Sequence, residues 1–289
     1  MSRPLLLAVS HGTADAAGSR AIAALVDSAR QSLPDVDVRA AFVDVQEPDA
    51  AELAPRLGGR VVIVPLLLSS GFHVHHDLHG IAARRPRTVV ADPLGPDPRL
   101  AEVLASRLDA LHEHAPEHDE RKHEGHEHEP EHEPEREPGG DHKRHEPEPE
   151  PEPEHDERDH KRHEPEPEPE RDRQEQKRHA PVILAVAGSR DERSLTDAEA
   201  MASLLAARTG RDIHLAYLAA RRPSLPTALA EHPDAVVSTF LLARGYFFDL
   251  ASRQAAGRML TAPLLDGGEV PPALTDLVIS RYLDAAARL

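Results

Sequence analysis

Short, continuous apolar runs punctuate the chain at both ends. Leu5-Leu6-Leu7-Ala8-Val9 opens the first block and Val182-Ile183-Leu184-Ala185-Val186 opens a second. Runs without polar alternation are the mark of strands buried on both faces of a parallel sheet. Each is followed by a small-residue loop, Ser10-His11-Gly12 or Ala187-Gly188-Ser189. An amphipathic helix comes next in both blocks. Ile22, Leu25, Val26, Ala29 and Leu33 recur at helical spacing in the first, Met201, Leu204 and Leu205 in the second. The pattern then repeats. Second strands are predicted at 36–43 and 213–218, each leading to a proline-containing turn and a helix, at Glu47-Pro48-Asp49 and Arg222-Pro223-Ser224. Third strands are predicted at 61–68 and 236–242, ending at Gly71 and Gly245, and a fourth pair at 88–90 and near Met259-Leu260. Closing helices follow over 99–111 and 273–289. Strands alternating with helices at this spacing predict an α/β fold. It comprises two similar domains, each a mainly parallel sheet flanked by helices.

Between the blocks the pattern vanishes. From His112 to Ala180 the only apolar side chains besides proline are Ala115 and Ala180. This stretch holds 26 acidic and 12 basic residues and 13 of the 20 histidines, so it carries nearly all of the net charge of −17. DHKRHEPEPEPE begins at Asp141 and again at Asp159. Such a segment has too little apolar surface to offset chain entropy, and it is expected to be a disordered, extended linker that binds divalent ions weakly. The expected organisation is an N-terminal domain at 1–111, a His/Glu/Pro-rich linker at 112–180, and a C-terminal domain at 181–289, each domain burying a modest core of its own.

Composition narrows the chemistry. The chain has no Cys, which excludes disulfides, thiolate metal sites and cysteine nucleophiles. With no Trp, three Tyr and five Phe, stacking platforms for single-stranded nucleic acid are not expected, and the acidic balance argues against a phosphate-backbone partner. The run Leu5–Val9 is too short for a secretion signal or a membrane span, so a cytoplasmic protein without membrane partners is expected. There is no G-x-x-x-x-G-K-[ST] loop to support ATP-driven chemistry.

In open α/β sheets ligands bind beyond the carboxyl ends of the strands. There the first block carries His11 after strand one, Asp44 after strand two and His73 after strand three. A lone histidine in such a loop is usually a surface residue, and Asp44 could serve only to cap a turn. Three ligand-type side chains on three neighbouring loops instead form a candidate catalytic and metal-ligating set. The second block matches these positions with Gly188, Ala219 and Phe247, which suggests one working site and one degenerate copy. His75, His76 and His79 either help to capture metal or are solvated, and Asp77 is expected to cap the short helix that follows.

These segments resemble the sirohydrochlorin chelatases of the CbiX type, class II chelatases. LLLAVSHGT resembles the family's opening strand and His-Gly loop. AFVDVQEPD resembles its second-strand motif, and VVIVPLLLSSGFHVHHDL its apolar strand with an internal proline running into Gly-x-His. The resemblance covers both blocks and excludes the linker. It implies an ATP-independent chelatase that inserts Co²⁺ or Fe²⁺ into sirohydrochlorin, towards cobalamin or sirohaem, with no cofactor beyond the substrate metal. It implies that His11 and His73 are the paired active-site histidines and that Asp44 stands where the family often has Glu. It also implies a monomer acting as an internal pseudo-dimer. Arg84, Arg85 and Arg87 are candidates to meet the tetrapyrrole carboxylates, and Tyr246, Phe247 and Phe248 to wall the macrocycle. The reading from another class is a His-rich metal-binding or storage protein whose α/β part is only a carrier.

Overall fold

The computed structural model describes residues 3–71, 73–113 and 180–289, and only the backbone of residues 73–75, 112 and 113. The segment expected to be a linker thus lies almost wholly outside the described residues. The first half runs β1 (Leu5–Ser10), α1 (Ala16–Ser32), β2 (Val38–Phe42), α2 (Ala50–Leu53, extended by a 3₁₀ turn to Arg56), β3 (Val61–Pro65), a π-helical turn (His73–Leu78), α3 (His79–Arg84), β4 (Thr88–Val90) and α4 (Pro98–Glu113). The second runs β5 (Val182–Val186), α5 (Glu192–Thr209), β6 (Ile213–Tyr217), α6 (Leu225–Glu231), β7 (Val236–Phe240), α7 (Tyr246–Ala255) and α8 (Pro272–Ala286). Two parallel sheets form, ordered β2-β1-β3-β4 and β6-β5-β7.

The apolar runs split their side chains between two cores, as a strand covered on both faces must. Leu5, Leu7 and Val9 join Val61 and Ile63 beneath α2 and α3, whereas Leu6, Ala8, Val62 and Val64 point the other way. In the second sheet Ile183, Ala185 and Val237 pack under α6 and α7, while Val182, Leu184 and Val236 point into the opposite core. That opposite core is the same one in both cases: a single cluster joins the inner faces of the two sheets. The fourth strand expected near Met259-Leu260 is reduced to one bridge, Val237 to Leu260. The segment bonds Val237 on both sides of that bridge, and Pro263 soon removes a donor.

The closing helices are exchanged between the halves. α4 follows β4 in sequence but packs on α5 and β7, and α8 packs on α1, β3 and β4. Leu274, Leu277, Val278 and Tyr282 of α8 are fully or almost fully buried in the shared core, as are Leu100, Leu104 and Leu108 of α4. Each such side chain contributes roughly 1.5–3 kcal/mol by leaving water. The two helices anchor themselves in matching ways. Arg281 on α8 donates to the carbonyls of Pro93 (2.8 Å) and Leu94 (3.1 Å). Arg107 on α4 donates to the carbonyl of Leu264 (3.1 Å), the residue in register with Leu94. Asp97 serves as carboxylate partner for Arg281, and Asp266 for Arg107. The buried Tyr282 hydroxyl donates to the Pro4 carbonyl at 2.7 Å. The described residues of both halves form one compact unit, so neither sheet is closed by its own half alone.

Candidate functional site

The sheet register aligns the halves residue by residue. Phe42 and Tyr217 each bridge to the residue after a proline, Asp49 and Ser224. Gly12 (φ 91°) and Gly188 (φ 89°) are left-handed at matching places, and a Cβ on either would fall on a carbonyl oxygen, of Asp44 or Ala219 respectively. These are positions only glycine fills without strain. Gly12 therefore matches Gly188, and the counterpart of His11 is Ala187, not Gly188 as the sequence alignment suggested. Ala219 and Phe247 remain the counterparts of Asp44 and His73, because the strand registers fix both offsets. The second half has no His, Asp or Glu at any of the three places.

His11 leaves the end of β1, the central strand, and its side chain is exposed. The Val43 N–H donates to the Ser10 carbonyl at 3.0 Å, which sets the Asp44 loop directly beside the His11 loop. Val45 takes a left-handed φ of 61°, and its N–H donates to the Asp44 carboxylate at 2.8 Å. The carboxylate thus braces its own turn while staying exposed. Gln46, a residue the sequence did not single out, ties the two loops. Its Oε1 accepts from the Thr13 N–H (2.9 Å) and its Nε2 donates to the Ser19 hydroxyl (3.0 Å). His73 opens the π-helical turn beyond β3, on the other side of β1. All three residues therefore stand on the carboxyl rim of one sheet, on neighbouring strands.

Among the described side chains no three His, Asp or Glu converge as metal ligands; the side chains of His73 and His75 are outside that set. His76 and His79 are exposed. Asp77 does not cap α3: the π-helical turn runs straight into the helix, which starts without a side-chain cap because the chain enters it already wound.

The arginines expected to meet carboxylates are at the wrong end of the sheet. The Arg87 carbonyl accepts from Val61, the first residue of β3, and Arg85 donates to the carbonyls of Leu57 (2.6 Å) and Gly59 (3.1 Å) just before it. Because β4 runs parallel and begins at Thr88, residues preceding it occupy the amino rim, opposite His11 and Asp44. Burial lowers the Arg85 pKa, as expected of a guanidinium used as a structural strap.

The carboxyl rims of the two halves meet. A Cβ on Gly245 would lie 2.7 Å from the Thr13 hydroxyl, and one on Gly71, its counterpart, 3.8 Å from the hydroxyl of Ser189, which matches Thr13. The Ser70 N–H donates to Asp197 of α5 at 2.6 Å, and the Arg244 carbonyl packs on Gly18 of α1. Each third-strand loop thus rests on the first helix of the other half. Tyr246 is 69% exposed at this junction and meets Phe247 edge-on with centroids 5.3 Å apart. Phe247 is half-buried, whereas Phe248 is a core residue and walls nothing.

The CbiX family model matches residues 5–111 of this chain, the half whose rim bears His11, Asp44 and His73. A sirohydrochlorin cobaltochelatase of Methanosarcina acetivorans is 27% identical over 120 residues, spanning 36% of this chain and 92% of that protein. SirB from Bacillus subtilis, solved with Fe3+, superposes with a TM-score of 0.63 at 17% identity over 99% of this chain and 96% of its own. The sirohydrochlorin chelatase SirB from Bacillus subtilis subspecies spizizenii, in complex with cobalt, gives 0.64 at 15% identity, with the same coverage of 99% and 96%. At these identities the structural likeness concerns the fold, and it extends over both halves.

Proposed function

We propose that this protein is a CbiX-type sirohydrochlorin chelatase, an ATP-independent lyase inserting Co²⁺ or Fe²⁺ into sirohydrochlorin in the biosynthesis of cobalamin or sirohaem. The observation that carries the proposal is a coincidence of place. The CbiX family match falls on residues 5–111, and there alone do the three matched rim positions hold His11, Asp44 and His73 in place of Ala187, Ala219 and Phe247.

The chemistry suits those groups. Metal insertion must strip water from a cation and remove two pyrrole protons. Imidazole ligates borderline metals and titrates near neutral pH, so His11 and His73 serve as ligands for the incoming metal and as proton acceptors. Asp44, one strand away from His11, offsets the cation's charge and relays a proton towards solvent. Tyr246 and Phe247 line the junction between the rims as an apolar wall for the macrocycle. The rims face one another across a cleft, the N-terminal side delivering metal and the C-terminal side holding the tetrapyrrole. Residues 112–180 join the halves as a linker, and the chain acts as a monomeric pseudo-dimer in the cytoplasm. Among the described residues no helix is long and apolar enough to cross a membrane.

The test is to mix the full chain with metal-free sirohydrochlorin and Co²⁺ or Fe²⁺ and follow the tetrapyrrole absorption. A spectral shift faster than that without protein is the expected result. Metal uptake by the protein with no acceleration of the shift would replace the chelatase with a His-rich metal-storage protein.

A further inference from the structure

The two rims are built alike but charged oppositely. In the first half the rim loops, residues 11–15, 43–49 and 66–71, hold four acidic residues (Asp15, Asp44, Glu47 and Asp49) and no Lys or Arg. The matching loops of the second half, 187–191, 218–224 and 240–245, hold four arginines (Arg190, Arg221, Arg222 and Arg244) and only Asp191 as an acid. The arginines replace Ala14, Gln46, Glu47 and Ser70 on the same scaffold, so the difference lies in the side chains and not in the backbone.

One of the four has a structural task. Arg221 donates to the carbonyls of Ser189 and Asp191 (2.9 Å for the latter) and pairs with Glu192 at 3.0 Å. It does for its half what Gln46 does for the first, fastening loop two to loop one. The other three are exposed, and among the described residues none of them makes an ion pair or a side-chain hydrogen bond. Arg244 lays its guanidinium 4.9 Å from the centroid of the Phe248 ring. A cation–π contact of this kind holds the guanidinium in place without using up its N–H donors, which can still meet a carboxylate. Arg190, Arg222 and Arg244 stand on three loops of one sheet rim, after β5, β6 and β7. That rim borders the one bearing His11 and Asp44 at two points. The Arg244 carbonyl and Gly245 touch Gly18 and Thr13 in the His11 loop and its helix, and Ser189, beside Arg190, faces Gly71 in the loop that leads to His73.

We propose that Arg190, Arg222 and Arg244 form the docking site for the carboxylates of the tetrapyrrole. This inference rests on the chelatase reading and assigns the second half a substrate-binding role within it. A rim that collects a divalent cation must be acidic, and one that collects a polycarboxylate must be basic. A single rim carrying both charges would neutralise itself, whereas a duplicated scaffold separates them while keeping them adjacent. Guanidinium forks take carboxylates in a bidentate manner and resist deprotonation at any working pH.

The test uses the full chain carrying Arg190→Gln, Arg222→Gln and Arg244→Gln together, with Arg84→Gln/Arg87→Gln on the opposite rim as a control. Steady-state insertion of Co²⁺ and binding of metal-free sirohydrochlorin are both measured, at low and high salt, alongside thermal melting. The triple variant is expected to melt like the wild type. Its KM for sirohydrochlorin should rise about tenfold to hundredfold with kcat within about threefold, and the salt dependence of binding should flatten. The control should match the wild type. A wild-type chain that neither binds nor metallates sirohydrochlorin would overturn the chelatase reading and this inference with it. A wild-type chain that does both, with a triple variant of unchanged KM and unchanged salt dependence, would overturn the arginine assignment alone. A triple variant that lost kcat with KM intact would also overturn it.

Discussion

The two halves share a backbone so closely that left-handed Gly12 and Gly188, the loop-fastening Gln46 and Arg221, and the helix-anchoring Arg107 and Arg281 occupy matching places. They differ in what the shared rim displays. One shows His11, Asp44 and a turn beginning at His73; the other shows Ala187, Ala219, Phe247 and exposed arginines. The second half keeps the scaffold without those side chains. The helices are exchanged: α8 closes the first sheet and α4 the second, so neither half can be removed without opening the other.

The strongest way to break this comparison is to empty the first rim. If the proposed site is right, His11→Ala and His73→Ala should each lower turnover by about a hundredfold or more, since that reading makes each both a metal ligand and a proton acceptor. Melting temperature should hold for His11→Ala, because the side chain is exposed and leaves no cavity. Near-normal turnover in either variant would remove that residue from the site. On the other rim, Phe247→Ala should raise KM for the tetrapyrrole by about tenfold while sparing kcat, the mark of lost uniform binding. A kcat loss as deep as that of His11→Ala would place chemistry in the second half.

The helix exchange can be sharpened by stability measurements. Asp97 is buried, and although burial alone would raise its pKa, hydrogen bonds and charge from Arg99, with charge from Arg281, hold it below the ordinary carboxylate value. A depressed carboxylate contributes stability above its unfolded pKa and loses it as pH falls through the folded one. Asp97→Asn should therefore cost about 1–3 kcal/mol at pH 7. The gap from wild type should close only below about pH 4, and equal melting of the two proteins at neutral pH would contradict the anchor. Tyr282→Phe should cost about 1 kcal/mol by orphaning the Pro4 carbonyl; no change in a denaturant midpoint would deny the bond. Smallest of all should be the effect of replacing 115–178 with a flexible spacer, with turnover at saturating metal kept within about threefold of the wild type. A drop of more than tenfold would give the His-rich segment a part in catalysis.

Much of the fold was legible because a strand buried on both faces announces itself as an unbroken apolar run, as Leu5–Val9 and Val182–Val186 do. The placing of His11, Asp44 and His73 on one rim followed from strand direction alone. The rest needed three dimensions. Helical periodicity shows that α4 and α8 have an apolar face, but not whose sheet it meets. The identity of His11's counterpart was off by one because apolar runs slide past each other freely; only the left-handed glycines and the carbonyls they approach fix the register. Arg85 and Arg87 were close in sequence to His73 but lie on the far rim, since α3 carries the chain back across the sheet before β4 starts. Arg190, Arg222 and Arg244 could have been found by comparing the halves for charge as well as for ligands.

The proposed function places one working site in each chain, shared between unlike rims. Its most direct test is a titration of the full chain with metal-free sirohydrochlorin, followed by absorption, repeated on His11→Ala. One tetrapyrrole per chain is the expected stoichiometry, retained in the variant although insertion is lost. Two equivalent tetrapyrrole sites per chain would contradict it.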